Sequence, residues 1–536
     1  MDHAAQEDLI REVAPLVEAA NRGEADEVLP TIERRLVELG GGVMRKAPAA
    51  MHFAHGVALL MNDDAAAALG ATDDMLHAAQ RDGAEGWRAC ALAMRAAFQI
   101  MRAQDNPSEY DLDSVLADLA AAEVALDRSK EGGYVAECGH SAIFVSYFSL
   151  RLYELALPHA EAAYEISIAL VDREDAGPIS ELLNIATLHL QWALELIRVE
   201  LAAEAREHRA RAHDACSLAL DRLTDAQEQA WTGPCSLLQA MARPDDADPA
   251  EMASDIQRLL PQVALGDPHS GLLAAAPFLA GALVRLGHRD QAMEVVERAL
   301  AEVRVTDRES PTYLSLAHTR AFLLAQSSEA ARTAMEYGDA LAAASWRQRQ
   351  RTLDSAETMR AYAQLRADHE QVTLVAETDA LTGVSNRRAL DRALESLAKT
   401  EDPGRMVAVL FIDVDEFKQV NDSFGHVVGD TMLQGVAQAI ASNSRGDDVV
   451  ARIGGDEFAV LLPGATTEVA ERAARRIIAA VRDTPSLPTV SIGGAAGPAV
   501  DVKATVTRAD DAMYVAKRGG RNQHYVAPHV TSSPAT

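Results

Sequence analysis

Met406-Val407-Ala408-Val409-Leu410-Phe411-Ile412-Asp413-Val414-Asp415 is an unbroken apolar run that ends in two carboxylates. A short continuous run rich in branched residues forms a strand buried on both faces, so the carboxylates emerge at its C-terminal end. Two carboxylates there are costly unless they meet cations. A second run, Val449-Val450-Ala451-Arg452-Ile453, leads through Gly454-Gly455-Asp456-Glu457 into Phe458-Ala459-Val460-Leu461-Leu462. Two apolar strands flanking a Gly-Gly turn predict a β-hairpin with two further carboxylates at its tip. If the hairpin pairs beside the first strand, Asp413 and Asp456 converge on a hard divalent cation, and Mg²⁺ with phosphate oxygens in its shell is the natural occupant. Glycines at the tip let a polyphosphate approach the backbone. These residues alone point to metal-dependent phosphoryl or nucleotidyl transfer, and leave open a pair of solvated acidic turns.

Upstream the texture differs. The chain has 536 residues, 48% apolar and 24% charged, a globular composition long enough for several domains. From the start to about residue 340 it is rich in Ala, Leu, Glu and Arg without alternating β-branched runs, which predicts an all-α region, 1–340. Breakers at Asn21-Arg22-Gly23, Gly40-Gly41-Gly42, Asn106-Pro107, Gly132-Gly133, Gly177-Pro178 and Arg243-Pro244-Asp245-Asp246 separate stretches of helical length, so neighbouring helices run antiparallel. Leu286-Gly287-His288-Arg289-Asp290-Gln291-Ala292 and the small residues Val296 and Ala299 after it resemble the second helix of a tetratricopeptide repeat. Related segments at Ala160 and Ala205 suggest a period of roughly 43 to 45 residues, with an irregular bundle as the alternative. A solenoid of such repeats offers a concave surface to a protein or peptide. Residues 341–378 hold neither Gly nor Pro and predict one long linking helix. Its seven-residue spacings, Trp346 to Leu353 and Leu365 to Val372, allow a short parallel coiled coil or a monomeric helix packed on the array.

The net charge of −30 repels nucleic acid and anionic membrane, so any phosphate ligand needs a local site. Cys90, Cys138, Cys216 and Cys235 stand far apart without CxxC spacing, which predicts buried reduced thiols. There is no basic and apolar leader and no apolar stretch long enough to span a bilayer, so a cytoplasmic protein is expected.

The C-terminal part resembles the GGDEF domain, the diguanylate cyclase family. Gly454-Gly455-Asp456-Glu457-Phe458 is the signature, and it stands among the family's other segments in order. These are Asp379-Ala380-Leu381-Thr382-Gly383, Phe411-Ile412-Asp413-Val414-Asp415 continuing to Asn421-Asp422, Phe424-Gly425-His426, Gly429-Asp430, Ser491-Ile492-Gly493-Gly494, and Ala509-Asp510-Asp511-Ala512-Met513-Tyr514 running to Lys517, with Arg521-Asn522 after it. The resemblance covers roughly residues 376 to 527 and implies a multidomain chain. Its parts would be an all-α tetratricopeptide-like array, a linking helix, an α/β nucleotidyl cyclase-like domain over 379–527 with a central, mostly antiparallel sheet, and a disordered tail over 528–536.

What the resemblance implies is condensation of two GTP into cyclic di-GMP with release of two pyrophosphates. Asp413, the Val414 carbonyl, Asp456 and Glu457 would ligate Mg²⁺, for which Mn²⁺ can substitute, and Asp456 and Glu457 would serve catalysis. Asn421 and Asp430 match the guanine readers; an ionised Asp430 accepts from guanine N1–H and the 2-amino group, which adenine does not offer. Phe417, Lys418, Lys517 and Arg521 complete the substrate positions. Arg445 and Asp448 match an RxxD site for inhibitory product, with Arg475 or Arg476 as a further contact. Because each domain holds one GTP, a homodimer is implied, regulated through the helical repeats by an unknown partner. The alternative is a non-catalytic receptor for GTP or cyclic di-GMP. No GxxxxGK[ST] loop supports another NTPase reading, and the few residues after Asn522 leave no room in this sequence for a phosphodiesterase domain.

Overall fold

A computed structural model describes residues 3–62, 64–105, 111–170, 177–244, 246–263, 268–303, 310–325, 328–399, 402 and 404–528. The breaker Asn106-Pro107, Asp245 and residues 529–536 lie outside the described residues. The chain divides into Met1–Leu365 and Arg366–Thr536.

The first unit is helical throughout its described residues, from His3–Ala19 to Pro311–Ala325, with consecutive helices packed together. Its corners repeat. Gly83, Arg151, Glu200 and Gly287 adopt left-handed backbone at φ 65°, 61°, 62° and 79°. At each, the next residue's N–H reaches back five positions to a helical carbonyl: Ala84 to Ala79, Leu152 to Tyr147, Leu201 to Leu196, and His288 to Leu283, all at 2.9 Å. This is the Schellman ending, which satisfies carbonyls that the helix leaves unpaired. The corners correct the repeat spacing expected from the sequence. Arg151 to Glu200 is 200 − 151 = 49 positions and Glu200 to Gly287 is 287 − 200 = 87. The counterpart of Ala205 and Ala292 is therefore Ala156, and not Ala160, because Ala156, Ala205 and Ala292 each stand five residues past a corner; all three are buried. The same 49-residue offset relates two imidazole pairs, His140 with His159 at 3.0 Å and His189 with His208 at 2.9 Å between Nδ1 atoms.

One helix runs from Glu329 to Glu377. Its first half packs on the array: Leu353 and Ala356 belong to the main hydrophobic core, and Trp346 packs against the cluster of Ala193, Leu196 and Ala205. Arg349 donates to the Arg151 carbonyl at 2.6 Å and pairs with Glu154, while Arg360 Nε reaches Glu123 Oε2 at 2.6 Å. The first pair of the expected coiled-coil seam is thus already covered by this unit. Leu365 and Val372, by contrast, are 69% and 66% exposed.

The second unit is built on a six-stranded sheet of β1 (Ser385–Asn386), β2 (Met406–Val414), β3 (Val449–Arg452), β4 (Glu457–Pro463), β5 (Val490–Pro498) and β6 (His524–Val526). The order is β1-β3-β4-β2-β5-β6. The four inner strands pair antiparallel, and the short edges β1 and β6 pair parallel. Helices cover both faces, so β2 is buried along nearly its whole length, as its continuous apolar run predicts. Gly493 on β5 permits one of these coverings: a Cβ there would lie 1.9 Å from the Met513 backbone nitrogen of the helix Val502–Arg518. Among the described residues no helix is long and apolar enough to cross a membrane.

Candidate active site

The hairpin forms as the Gly-Gly turn predicts, and it pairs beside β2. β3 and β4 are antiparallel, and the β2–β4 register sets Asp413 opposite Glu457. On the other side β5 sets Ser491 opposite Asp413. The turn is closed by the Ile453 N–H donating to the Glu457 carbonyl at 2.9 Å, and it is tied to the strand end by the Val414 N–H donating to the Asp456 carbonyl at 3.0 Å. Glu457 folds back over Gly454: a Cβ there would lie 2.8 Å from Glu457 Oε2, so a larger residue would displace that carboxylate.

Alternation along β2 puts Asp413 on the face that carries Val409 and Phe411, covered by the helix Val502–Arg518. From the last turn of that helix Lys517 brings Nζ to 2.6 Å from Asp413 Oδ2. Asp413 is 7% exposed. Burial pushes its carboxyl above the usual range, Lys517 pulls it down, and the charges of Asp456 and Glu457 push it up again; the net direction is upward. The site therefore gathers three acidic side chains against one ammonium group.

Asp415, equally buried, is met differently. Thr489 and Ser491 hydroxyls donate to its two oxygens at 2.7 Å each, and the Asn522 N–H donates at 2.9 Å. This corrects the expectation that both strand-end carboxylates must meet cations: three neutral donors satisfy Asp415. The Asn522 amide reaches it because Gly520, Arg521 and Asn522 all hold positive φ, at 118°, 59° and 48°. That conformation is unfavourable for non-glycine residues, a cost which the fold offsets here through the buried bond.

The helices Phe417–Phe424 and His426–Ser442 follow. Gly429 lies against Asn421: a Cβ at 429 would come within 2.0 Å of Asn421 Oδ1 and 3.2 Å of the Phe417 ring. That contact brings Phe417 and Asn421 to the turn carrying Asp430, which is exposed, as are Lys418 and Arg521. Asp379 is bound to the hairpin through Arg452, which donates to it at 3.1 Å and to the Gly455 carbonyl at 2.7 Å. Thr382 donates to the same carboxylate through its hydroxyl at 2.6 Å and its N–H at 2.9 Å. Burial opposes ionisation of Asp379, but Thr382 and Arg452 outweigh it and hold the carboxyl below its ordinary value. Arg452 escapes a reading of the sequence by acidic motifs; its signal is proximity in the chain to the GGDEF turn.

Arg445 and Asp448 form a tight turn away from the strand end, the Arg445 N–H donating to Asp448 Oδ2 at 2.7 Å. They line a small pocket of about 40 Å³ with Arg472 and Arg476. Arg475 is directed to Glu471 instead, and Arg472 is a neighbour that the spacing did not single out. Among the described residues no group of three or more His, Cys, Asp or Glu is arranged to hold a metal ion by itself.

Residues 376–523 match the family described as diguanylate cyclase, GGDEF domain. The chain is 38% identical over 173 residues to the cyclic di-GMP phosphodiesterase PdeR of Escherichia coli, covering 30% of this chain and 25% of PdeR. It is also 38% identical over 159 residues to the diguanylate cyclase DgcP of Pseudomonas aeruginosa, covering 28% and 24%. A crystal structure of the coiled coil and GGDEF domain of DgcB from Caulobacter crescentus, in complex with c-di-GMP, is 30% identical and covers 32% of this chain and 97% of that one, with a TM-score of 0.29. The chain thus spans about a quarter of the length of these curated relatives. Relatives named for different activities each match less than a third of this chain, so the likeness is that of a module, and the chain carries a GGDEF domain at its C-terminus.

Proposed function

We propose that the second unit is a diguanylate cyclase that joins two GTP into cyclic di-GMP. The observation that carries this reading is Asp413, buried at the strand end with Asp456 and Glu457 close by and a single ammonium group for three carboxylates. A donor set of hard oxygens with excess negative charge fits a divalent cation such as Mg²⁺. Asp413, Asp456, Glu457 and the Val414 carbonyl would hold it, with substrate phosphate oxygens completing the shell. When bound, the cation supplies charge neutralisation at the α-phosphoryl group.

The chain's own residues do the rest. Asn421 and Asp430 read the guanine edge, with Phe417 beneath them, and Lys418, Lys517 and Arg521 meet the phosphates. Asp456 takes the proton of the attacking 3′-hydroxyl, assisted by the charge of Glu457. Oxygen 3′ of one GTP bonds to the α-phosphorus of the other as the bond to the β-phosphate oxygen breaks, and pyrophosphate leaves with the electron pair. The same exchange in the opposite sense closes the ring and releases the second pyrophosphate. Each site holds one GTP, so two chains must meet as a homodimer; the exposed Leu365 and Val372 are compatible with a pairing surface. Arg445 and Asp448, with Arg472 and Arg476 beside them, would grip the product and inhibit the enzyme.

Replacing Asp456 with Ala should reduce cyclic di-GMP formation from GTP and Mg²⁺ at least 100-fold, followed by chromatography, with the circular dichroism spectrum unchanged. Undiminished turnover would refute the assignment.

A further inference from the structure

The first unit holds a cavity of about 440 Å³ that plays no part in the chemistry above. Its volume falls within the roughly 300–1,000 Å³ typical of sites for small organic ligands. The walls are mostly apolar and aromatic, with Phe53, Met61, Met94, Phe98, Tyr134 and Trp231 among them. Three carboxylates also line it: Glu18, Glu137 and Glu181. Glu137 and Glu181 are 6% and 7% exposed. None of the lining side chains among the described residues is Lys, Arg or His.

Glu181 is the informative group. Its Oε1 accepts from the Ser141 hydroxyl at 2.8 Å and its Oε2 from the Asn184 amide at 3.1 Å, both neutral donors. Burial raises its carboxyl above the ordinary range. Among the described residues Glu181 has no cationic neighbour; a carboxylate in apolar walls gains from a cation brought in by a ligand, and aromatic rings favour the same charge.

We propose that this cavity is a binding site for a small apolar amine, whose ammonium group lies at Glu181 and whose hydrocarbon part fills the space between Phe53, Phe98 and Trp231. The lining helix Tyr134–Ser149 connects the cavity with the long helix. It supplies Glu137, Ser141 and Val145 to the cavity wall, and from the same helix Tyr147 donates to Glu123 at 2.7 Å. Glu123 is the carboxylate that holds Arg360. Occupation of the cavity thus bears on a helix that helps to fasten the Glu329–Glu377 helix to this unit. Binding is independent of what the second unit catalyses.

The probe is 4-phenylbutylamine, compared with 4-phenylbutan-1-ol, which has the same hydrocarbon part without the charge. Calorimetry and tryptophan emission on the full-length protein should show the amine binding at least 10-fold more tightly than the alcohol. Glu181→Gln should remove that preference. Equal affinities in the unmodified protein, the absence of any heat or emission change, or an unaltered preference in Glu181→Gln would overturn the proposal. Should Glu181→Gln fail to fold, Ala142→Leu narrows the cavity from its wall, and amine affinity unaffected by it would overturn the proposal equally. Binding of a basic amphipathic peptide at Trp231, with the amine unable to bind or compete, would also overturn it.

Discussion

Asp413 and Asp415 stand two positions apart, are almost equally buried, and have opposite chemistry. Asp413 faces other carboxylates and one ammonium group, an arrangement that stores unfavourable charge for use on a ligand. Asp415 is saturated by Thr489, Ser491 and Asn522, which fasten β5 and the turn after the Val502–Arg518 helix to the end of β2. Asp413→Asn should therefore abolish turnover while changing stability by about 1 kcal/mol at most. Asp415→Ala takes the acceptor from the buried Ser491 hydroxyl and from the half-buried Thr489 hydroxyl and Asn522 N–H, and should lower the stability of the second unit by about 3 kcal/mol. Calorimetry of the two variants separates these outcomes, and equal destabilisation would show that the two carboxylates do the same work. The sequence displays both residues with equal prominence; the donors that distinguish them come from distant strands and turns, which no local pattern encodes.

At the scale of elements, the hairpin was legible because a Gly-Gly turn and the apolar runs on either side of it are local signals. The array was legible as helix but not in register. Its small residues recur at several spacings that an Ala-rich sequence supplies freely, whereas its corners use Gly at two positions and Arg151 and Glu200 at two others. A left-handed residue that is not glycine gives no sequence signal. Glu200 is exposed and holds left-handed backbone, which is unfavourable for any residue with a Cβ, so Glu200→Gly should stabilise the first unit by about 1 kcal/mol. A denaturant midpoint that falls in this variant would mean that the corner is not strained.

For the whole molecule, the two-unit division falls at Leu365, beyond the point where a change of sequence texture suggests ending the array. The first half of the long helix belongs to the first unit's core, so a chain beginning at residue 341 would expose Leu353 and Ala356 and lose the partners of Arg349 and Arg360. We expect such a chain to aggregate, and one beginning at Arg366 to remain soluble and to bind GTP. If the first unit governs the second, turnover by the shorter chain should depend on protein concentration differently from that of the full chain; sedimentation and product chromatography together test this, and identical dependence would remove the regulatory role. The order of acidic and glycine motifs, the strand that ends in Asp413 and the helical nature of the array are written in the linear chain, because they rest on periodicity and turn chemistry within a few residues. Folding in three dimensions was needed to bring Lys517 to Asp413 and neutral donors to Asp415, to give half of the linking helix to the array, and to line an apolar cavity with three glutamates. Each of those depends on side chains brought together from remote positions, where packing and the need to satisfy buried charge select the partners.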